Sequence, residues 1–213
     1  MRNAEKDAKE MEERKRRLLD VGFALFSARS IESVSMQQIA DTAGLGIATL
    51  YRYFPRKQEF VIAVGSERWK MIDEESREKS TRTGILKKSV KEQFSYFLES
   101  FIDLYREHRD LLCFNYDFNR YIQISDVKSE ELRTHIHSIE VFRASFSGIY
   151  ERGMQSGELR KDVTEEQMFS ASVHLMLAAA TRYAVGLVYN AHTGRDLEEL
   201  ELLKEMLIRE YTV

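Results

Sequence analysis

Basic side chains gather near the start of this sequence. From Arg14 to Phe60 eight of them (Arg14, Lys15, Arg16, Arg17, Arg29, Arg52, Arg56 and Lys57) stand against four acids (Asp20, Glu32, Asp41 and Glu59), although the 213-residue chain carries −3 overall. The excess of four leaves the remainder at −7. A segment of that sign can neutralise phosphates, and the acidic remainder cannot. Ordinary charge scatter would look similar, so sign alone does not decide. A second set is aromatic. Phe94, Tyr96, Phe97, Phe101, Tyr105, Phe114, Tyr116, Phe118 and Tyr121, followed by Phe142, Phe146 and Tyr150, lie among the polar groups of Asn115, Asn119, Arg143 and His174. Most such rings build a core. The same mixture of apolar walls and a few polar anchors also makes a small-molecule site, for which the candidates are Phe97, Phe101, Phe114, Tyr116, Phe118, Tyr121, Phe142, Arg143, Phe146 and His174.

Chemistry of other kinds finds no support. The sequence has no glycine-rich phosphate loop, no nucleophile elbow and no H-E-x-x-H helix, so no enzymatic reaction and no cofactor are expected. Cys113 is the single cysteine, which rules out an internal disulfide and reads as a thiol in a reducing cytoplasm. His135 and His137 are two residues apart and would point to different sides of a helix, so no metal site is expected. The opening residues alternate acids and bases, unlike a signal peptide. The most apolar stretch, Ala171 to Ala191, is interrupted by His174 and Arg182 and reads as a buried helix rather than a membrane span.

The elements that would position these groups are helices. One proline in 213 residues and the absence of alternating apolar and polar runs predict an all-α fold. Leu18, Leu19, Gly22, Phe23 and Phe26 share one face of a first helix. Ser35-Met36-Gln37-Gln38 has the capping-box form, so a second, short helix begins at Met36, buries Ile39, Ala40 and Ala43, and stops at Gly44. After a tight Leu45-Gly46 turn a third helix runs from Ile47 to Tyr53, with Leu50 and Phe54 inward, until Pro55 ends it. Two short helices joined by a glycine-containing turn form a helix-turn-helix, although a helical hairpin in a structural bundle has the same outline.

Leu18-Leu19, Phe26, Ser35, Ile39-Ala40, Ala43-Gly44-Leu45, Thr49-Leu50-Tyr51, Tyr53-Phe54 and Lys57 together resemble the DNA-binding domain of the TetR family, over about residues 15 to 62. The resemblance implies a DNA-binding set of Ser35, Gln37, Ile47, Ala48, Thr49, Tyr51, Arg52 and Lys57. In it Thr49, Tyr51 and Lys57 match positions that meet phosphates and set register, while Gln37, Ile47, Ala48 and Arg52 match positions that reach base edges. Three residues depart from the family pattern. Ser30 stands where glycine would ease the end of the first helix, Gly46 replaces a Ser/Thr cap, and Ala48 replaces a glycine. These changes bear on the operator sequence rather than on the module's survival.

Beyond this module, helical segments are expected over Lys57 to Lys79, Ile85 to Glu107, Arg109 to Ile122, Ser129 to Ser156, Glu165 to Asn190 and Leu197 to Tyr211. Leu132, Ile136, Ile139, Phe142, Phe146, Ile149 and Gly153 recur every three or four residues and form a core-facing stripe. The last two segments are apolar on more than one side, which a symmetry mate would cover, and the TetR resemblance implies a four-helix dimer bundle there. The expected organisation is a DNA-binding domain at 10–62 and an effector-binding and dimerisation domain at 63–213, with homodimer contacts through about 165–190 and 197–211. The expected activity is repression at a palindromic, double-stranded DNA operator, released by a hydrophobic or aromatic small molecule. The alternative is a helical scaffold that kept the helix-turn-helix without using it.

Overall fold

The computed structural model describes residues 4–186 and 194–213 and, within them, every side chain but those of residues 4, 5, 134, 138, 139 and 141. The last residues of the helix expected over 165–190 and the side chain of the stripe residue Ile139 lie outside the described residues. The protein is all-α: α1 (Ala4–Ala28), α2 (Met36–Thr42), α3 (Ile47–Tyr53), α4 (Lys57–Thr83), α5 (Val90–Glu107), α6 (Arg109–Ile124), α7 (Arg133–Ser156), α8 (Glu165–Val185) and α9 (Asp196–Tyr211), with 3-10 turns at Ile85–Lys87 and Ser129–Leu132. Among the described residues, extended pairing is limited to an antiparallel bridge between Leu159 and Thr212, and no helix is long and apolar enough to cross a membrane.

The chain divides into two compact units. The first takes the residues through Lys70 together with Cys113–Ile136; the second takes Met71–Leu112 and His137–Val213. Helices α4, α6 and α7 each contribute to both.

In the first unit, Leu18, Phe23 and Phe26 of α1, Ile39 and Ala40 of α2, Leu50 of α3 and Phe60, Val61 and Val64 of α4 are all buried. A run of ring contacts threads this core. Phe54 meets Phe60 edge-on at 5.1 Å, Phe60 meets Phe26 at 5.9 Å, Phe26 meets Phe114 at 6.4 Å, Phe114 meets Phe118 at 5.7 Å and Phe118 meets the His135 imidazole at 4.5 Å. Offset and edge-on ring pairs add specific attraction to the area they bury. Gly22 is required here by space: a Cβ would stand 2.5 Å from the Phe60 ring. His135 is buried with its Nδ1 unpartnered, and burial holds its pKa below the ordinary histidine value.

The second unit is built on α5, α8 and α9, with Phe94, Phe97, Leu98, Phe101, Phe146, Met168, Phe169, Leu200 and Leu207 buried. Helices α5 and α8 each begin at a reciprocal cap. Ser89 accepts from the Glu92 amide while Glu92 accepts from the Ser89 amide, and Thr164 and Gln167 do the same for α8. The Ser89 cap explains why the segment expected as one helix from Ile85 is a 3-10 turn followed by α5: a satisfied cap starts a helix afresh. Tyr105 donates to the Asp196 carboxylate at 2.7 Å and tethers the start of α9; burial and this bond push its pKa up to about 12.

Candidate nucleic-acid interface

The turn between α2 and α3 is built by local rules. The Ser35 hydroxyl accepts the Gln38 amide at 3.1 Å, and the Gln38 side chain accepts the Ser35 amide at 2.8 Å. At the other end Gly44 takes φ +66°, which lets its amide donate to Asp41 and that of Leu45 donate to Ala40 at 2.9 Å. This double closure satisfies the last carbonyls of α2, and a side chain at Gly44 would be strained. Gly46 then caps α3 with no side-chain bond, and Thr49 N–H donates to its carbonyl at 2.8 Å.

Burial divides the two short helices into an inner and an outer face. Met36, Ile39, Ala40, Leu50 and Phe54 are inside, whereas Gln37, Gln38, Ala48, Tyr51 and Arg52 are exposed and Ile47 and Thr49 are half-buried. Tyr51 is 47% exposed, which is unusual for a large ring and leaves its hydroxyl available to a ligand. Arg52 lies 5.5 Å from the centre of the Tyr53 ring. Gln37 donates to Asp41 at 2.7 Å along α2, a bond that orients the amide and can be exchanged. Tyr53 turns the other way, its hydroxyl donating to the Met11 carbonyl of α1 at 3.3 Å. A short helix with one apolar and one polar face, presenting an arginine, a tyrosine and small side chains, has the size and chemistry to enter a major groove.

Lys57 stands differently from the rest of the set. Its ammonium donates to the Ile31 carbonyl at 2.5 Å and to that of Glu32 at 3.4 Å, and it lies 5.8 Å from the Tyr121 ring centre. Burial pushes its pKa below the ordinary lysine value, against the pull of Glu32 and Asp117. The cation is thus held by two backbone carbonyls, with no acid among the described residues close enough to pair with it directly, and it supports the turn between α1 and α2. On the other side of the same residue the Ile31 amide donates to the Asp117 carboxylate of α6. Arg120 adds a 3.0 Å bridge to Glu32, and Arg56 bridges both Glu59 and Glu131. Nothing in the sequence marks Asp117 or Arg120 as partners of this turn, or Glu131 as the partner of Arg56 before α4, because they lie 75 to 88 residues away from the groups they hold.

The candidate small-molecule residues separate into several places. Phe97, Phe101, Phe142 and Phe146 meet in the second unit, with Phe97 stacked on Phe142 at 4.8 Å and 5.1 Å from Phe146. Phe114, Phe118 and Tyr121 are buried in the first unit, and Tyr116 is exposed. Arg143 is exposed, pairs with Glu166 and covers the Phe169 ring at 5.3 Å. His174 faces an open cleft of about 630 Å³ with Arg160, Asp162, Gln167 and Tyr211, its Nδ1 3.3 Å from the Ser170 hydroxyl. The set read from sequence is thus divided between the two units.

Residues 18–64 match the family model described as bacterial regulatory proteins, tetR family. The HTH-type transcriptional repressor KstR of Rhodococcus jostii is 38% identical over 61 residues, which is 29% of this chain and 29% of that repressor; the chain thus matches under a third of the length of such curated relatives. Similarity of fold extends further. A putative transcriptional regulator from Saccharomonospora viridis in complex with choline superposes with a TM-score of 0.75 at 15% identity, covering 95% of this chain and 99% of that one. The regulator FadR from Bacillus subtilis in complex with stearoyl-CoA gives 0.69 at 18% identity, covering 90% and 96%.

Proposed function

Since residues 18–64 are a TetR-family amino-terminal domain, we propose that this chain is a ligand-responsive transcriptional regulator, acting as a repressor on a palindromic DNA operator. The observation that carries this reading is the outer face of α2 and α3, where Gln37, Ala48, Tyr51 and Arg52 are exposed above a fully apolar inner face. Gln37, Ile47, Ala48 and Arg52 read base edges, with the amide suited to adenine, the guanidinium to guanine and the aliphatic groups to thymine methyls. Thr49 and Tyr51 hold phosphates. Lys57 contributes by fixing the α1–α2 turn, and Ser35 by capping α2.

Two copies act together. Leu175 and Val185 of α8 and Leu202 and Met206 of α9 are exposed apolar side chains on neighbouring helices, a face that a second copy would cover. A two-fold dimer then presents two α3 helices to two half-sites. A hydrophobic or aromatic effector would act by separating the clustered rings of Phe97, Phe142 and Phe146. Taking the operator-competent population from 99% to 1% requires the effector to favour the released state by about 5.5 kcal/mol. The relatives solved with stearoyl-CoA and with choline are compatible with effectors of quite different polarity.

The test is selection of a duplex from a random library followed by binding to variants. Arg52→Ala and Gln37→Ala should each relax preference at particular bases by about 1–3 kcal/mol while leaving the fold intact. Unchanged base preference in both variants would remove α2 and α3 from the role of reader.

A further inference from the structure

Helix α4 is buried only in its first third, from Phe60 to Ser66; the described residues beyond that point are exposed or half-buried. Its outer part is held to α5 by polar contacts on one face. Thr83 lies beside the Tyr96 hydroxyl, Lys79 bridges Asp103, and Glu75 meets His108 at 3.3 Å. Residues 75, 79 and 83 are four apart, so these are successive rungs of one seam. Exposed pairs of this kind contribute about 0–1 kcal/mol each, which is weak fastening for a helix that leads directly from the DNA-binding module.

At the Glu75 rung a third donor arrives. Glu107 is the last residue of α5 and His108 its C-cap, and one ligand atom each from Glu75, Glu107 and His108 lie within 4.8 Å of one another. We infer that Glu75, Glu107 and His108 form a binding site for a divalent transition-metal ion that clamps α4 to the junction of α5 and α6. Donors about 2.1 Å from a tetrahedral ion stand about 3.4 Å apart, so the three groups need to close by up to about 1.4 Å, within the reach of two exposed carboxylates and a half-buried imidazole. Two carboxylates and one imidazole suit zinc and its neighbours. Magnesium and calcium prefer donor sets made wholly of oxygen. The remaining coordination positions face solvent and would hold water. Charge favours the ion: two carboxylates meet there, and the nearby Lys79 forms its ion pair with Asp103.

The experiment is isothermal titration of the untagged, chelator-stripped full chain with Zn²⁺, repeated on His108→Ala, Glu75→Gln and the control His137→Ala. His137 also pairs with a glutamate, Glu140 three residues on, but within a single helix turn. The inference expects one saturable site per protomer in the wild type and in His137→Ala, weakened about tenfold or more in His108→Ala and Glu75→Gln. Zn²⁺ should also raise the melting temperature of the wild type but not that of His108→Ala, with circular dichroism confirming that both are folded. Absence of a saturable site in the wild type, or equal binding in all four proteins, would overturn it.

Discussion

Lys57 distinguishes two ways in which a cation can support DNA binding. If it meets a phosphate, Lys57→Ala removes a charge from the interface and the salt dependence of binding becomes shallower by about 0.9 in d log K/d log[salt]. Between 50 and 200 mM salt that difference amounts to roughly a three- to fourfold change in relative affinity. If it holds the turn, as its bonds to the Ile31 and Glu32 carbonyls indicate, the loss falls on the module's stability. A charged donor contributes about 1.5–3 kcal/mol per good hydrogen bond; only one of the two is short and the group is partly exposed, so about 1.5 kcal/mol is expected. For a chain of this size that lowers the melting temperature by about 3–6 °C. Fluorescence anisotropy on a labelled duplex across the salt series, with thermal unfolding alongside, separates the two. The turn-holding role predicts a lower melting temperature and a parallel salt line. Asp117→Asn weakens the same turn without removing a cation and should behave alike in the melt. A wild-type melting temperature with a salt slope reduced by about 0.9 would refute the reasoning and return Lys57 to the phosphates.

Other substitutions follow from the packing. Gly22→Ala gains about 1 kcal/mol of helix propensity, but its Cβ would press on a fully buried Phe60 ring already edge-on to Phe26 and Phe54; overpacking of about 1–3 kcal/mol outweighs the gain, and denaturant unfolding should show net destabilisation. Gly148→Ala meets only the far end of Arg152 at 3.2 Å and should be neutral or stabilising by up to about 1 kcal/mol in the same assay. Because burial holds His135 below the ordinary histidine value, the unfolded chain takes up a proton first on acidification. Stability contributed by His135 is therefore intact above about pH 6.5 and is lost as pH falls below it, and the drop in urea midpoint between pH 7.5 and 5.5 should shrink in His135→Leu. Leu202 and Met206 are 56% and 54% exposed; Leu202→Glu with Met206→Glu should yield monomers in sedimentation, and persistence of dimers would move the interface elsewhere.

The outline of the DNA-binding module was legible in the sequence because its rules are local. A cap at Ser35, a glycine free to adopt positive φ at position 44 and apolar spacing across Ile39, Ala40, Leu50 and Phe54 act over a few residues, and they set helix boundaries that tertiary packing had no reason to move. Helix α5 shows the same locality: the reciprocal cap between Ser89 and Glu92 acts over three residues and starts the helix at Val90 rather than at the expected Ile85.

What a side chain does once the helices have met was not legible. Phe97, Phe114 and Phe142 have the same apolar signature, yet Phe114 joins Phe23 and Phe26 in one core while Phe97 and Phe142 stack in another. Lys57 has the charge of a phosphate contact, and only the approach of a turn 26 residues earlier supplied the carbonyl that holds it. By itself the sequence determined the helices and their apolar faces, since hydrogen bonding along a helix and burial of one side depend on near neighbours. The tertiary structure decided which faces share a core and which charged groups remain free, since those outcomes depend on partners that chain order does not bring together.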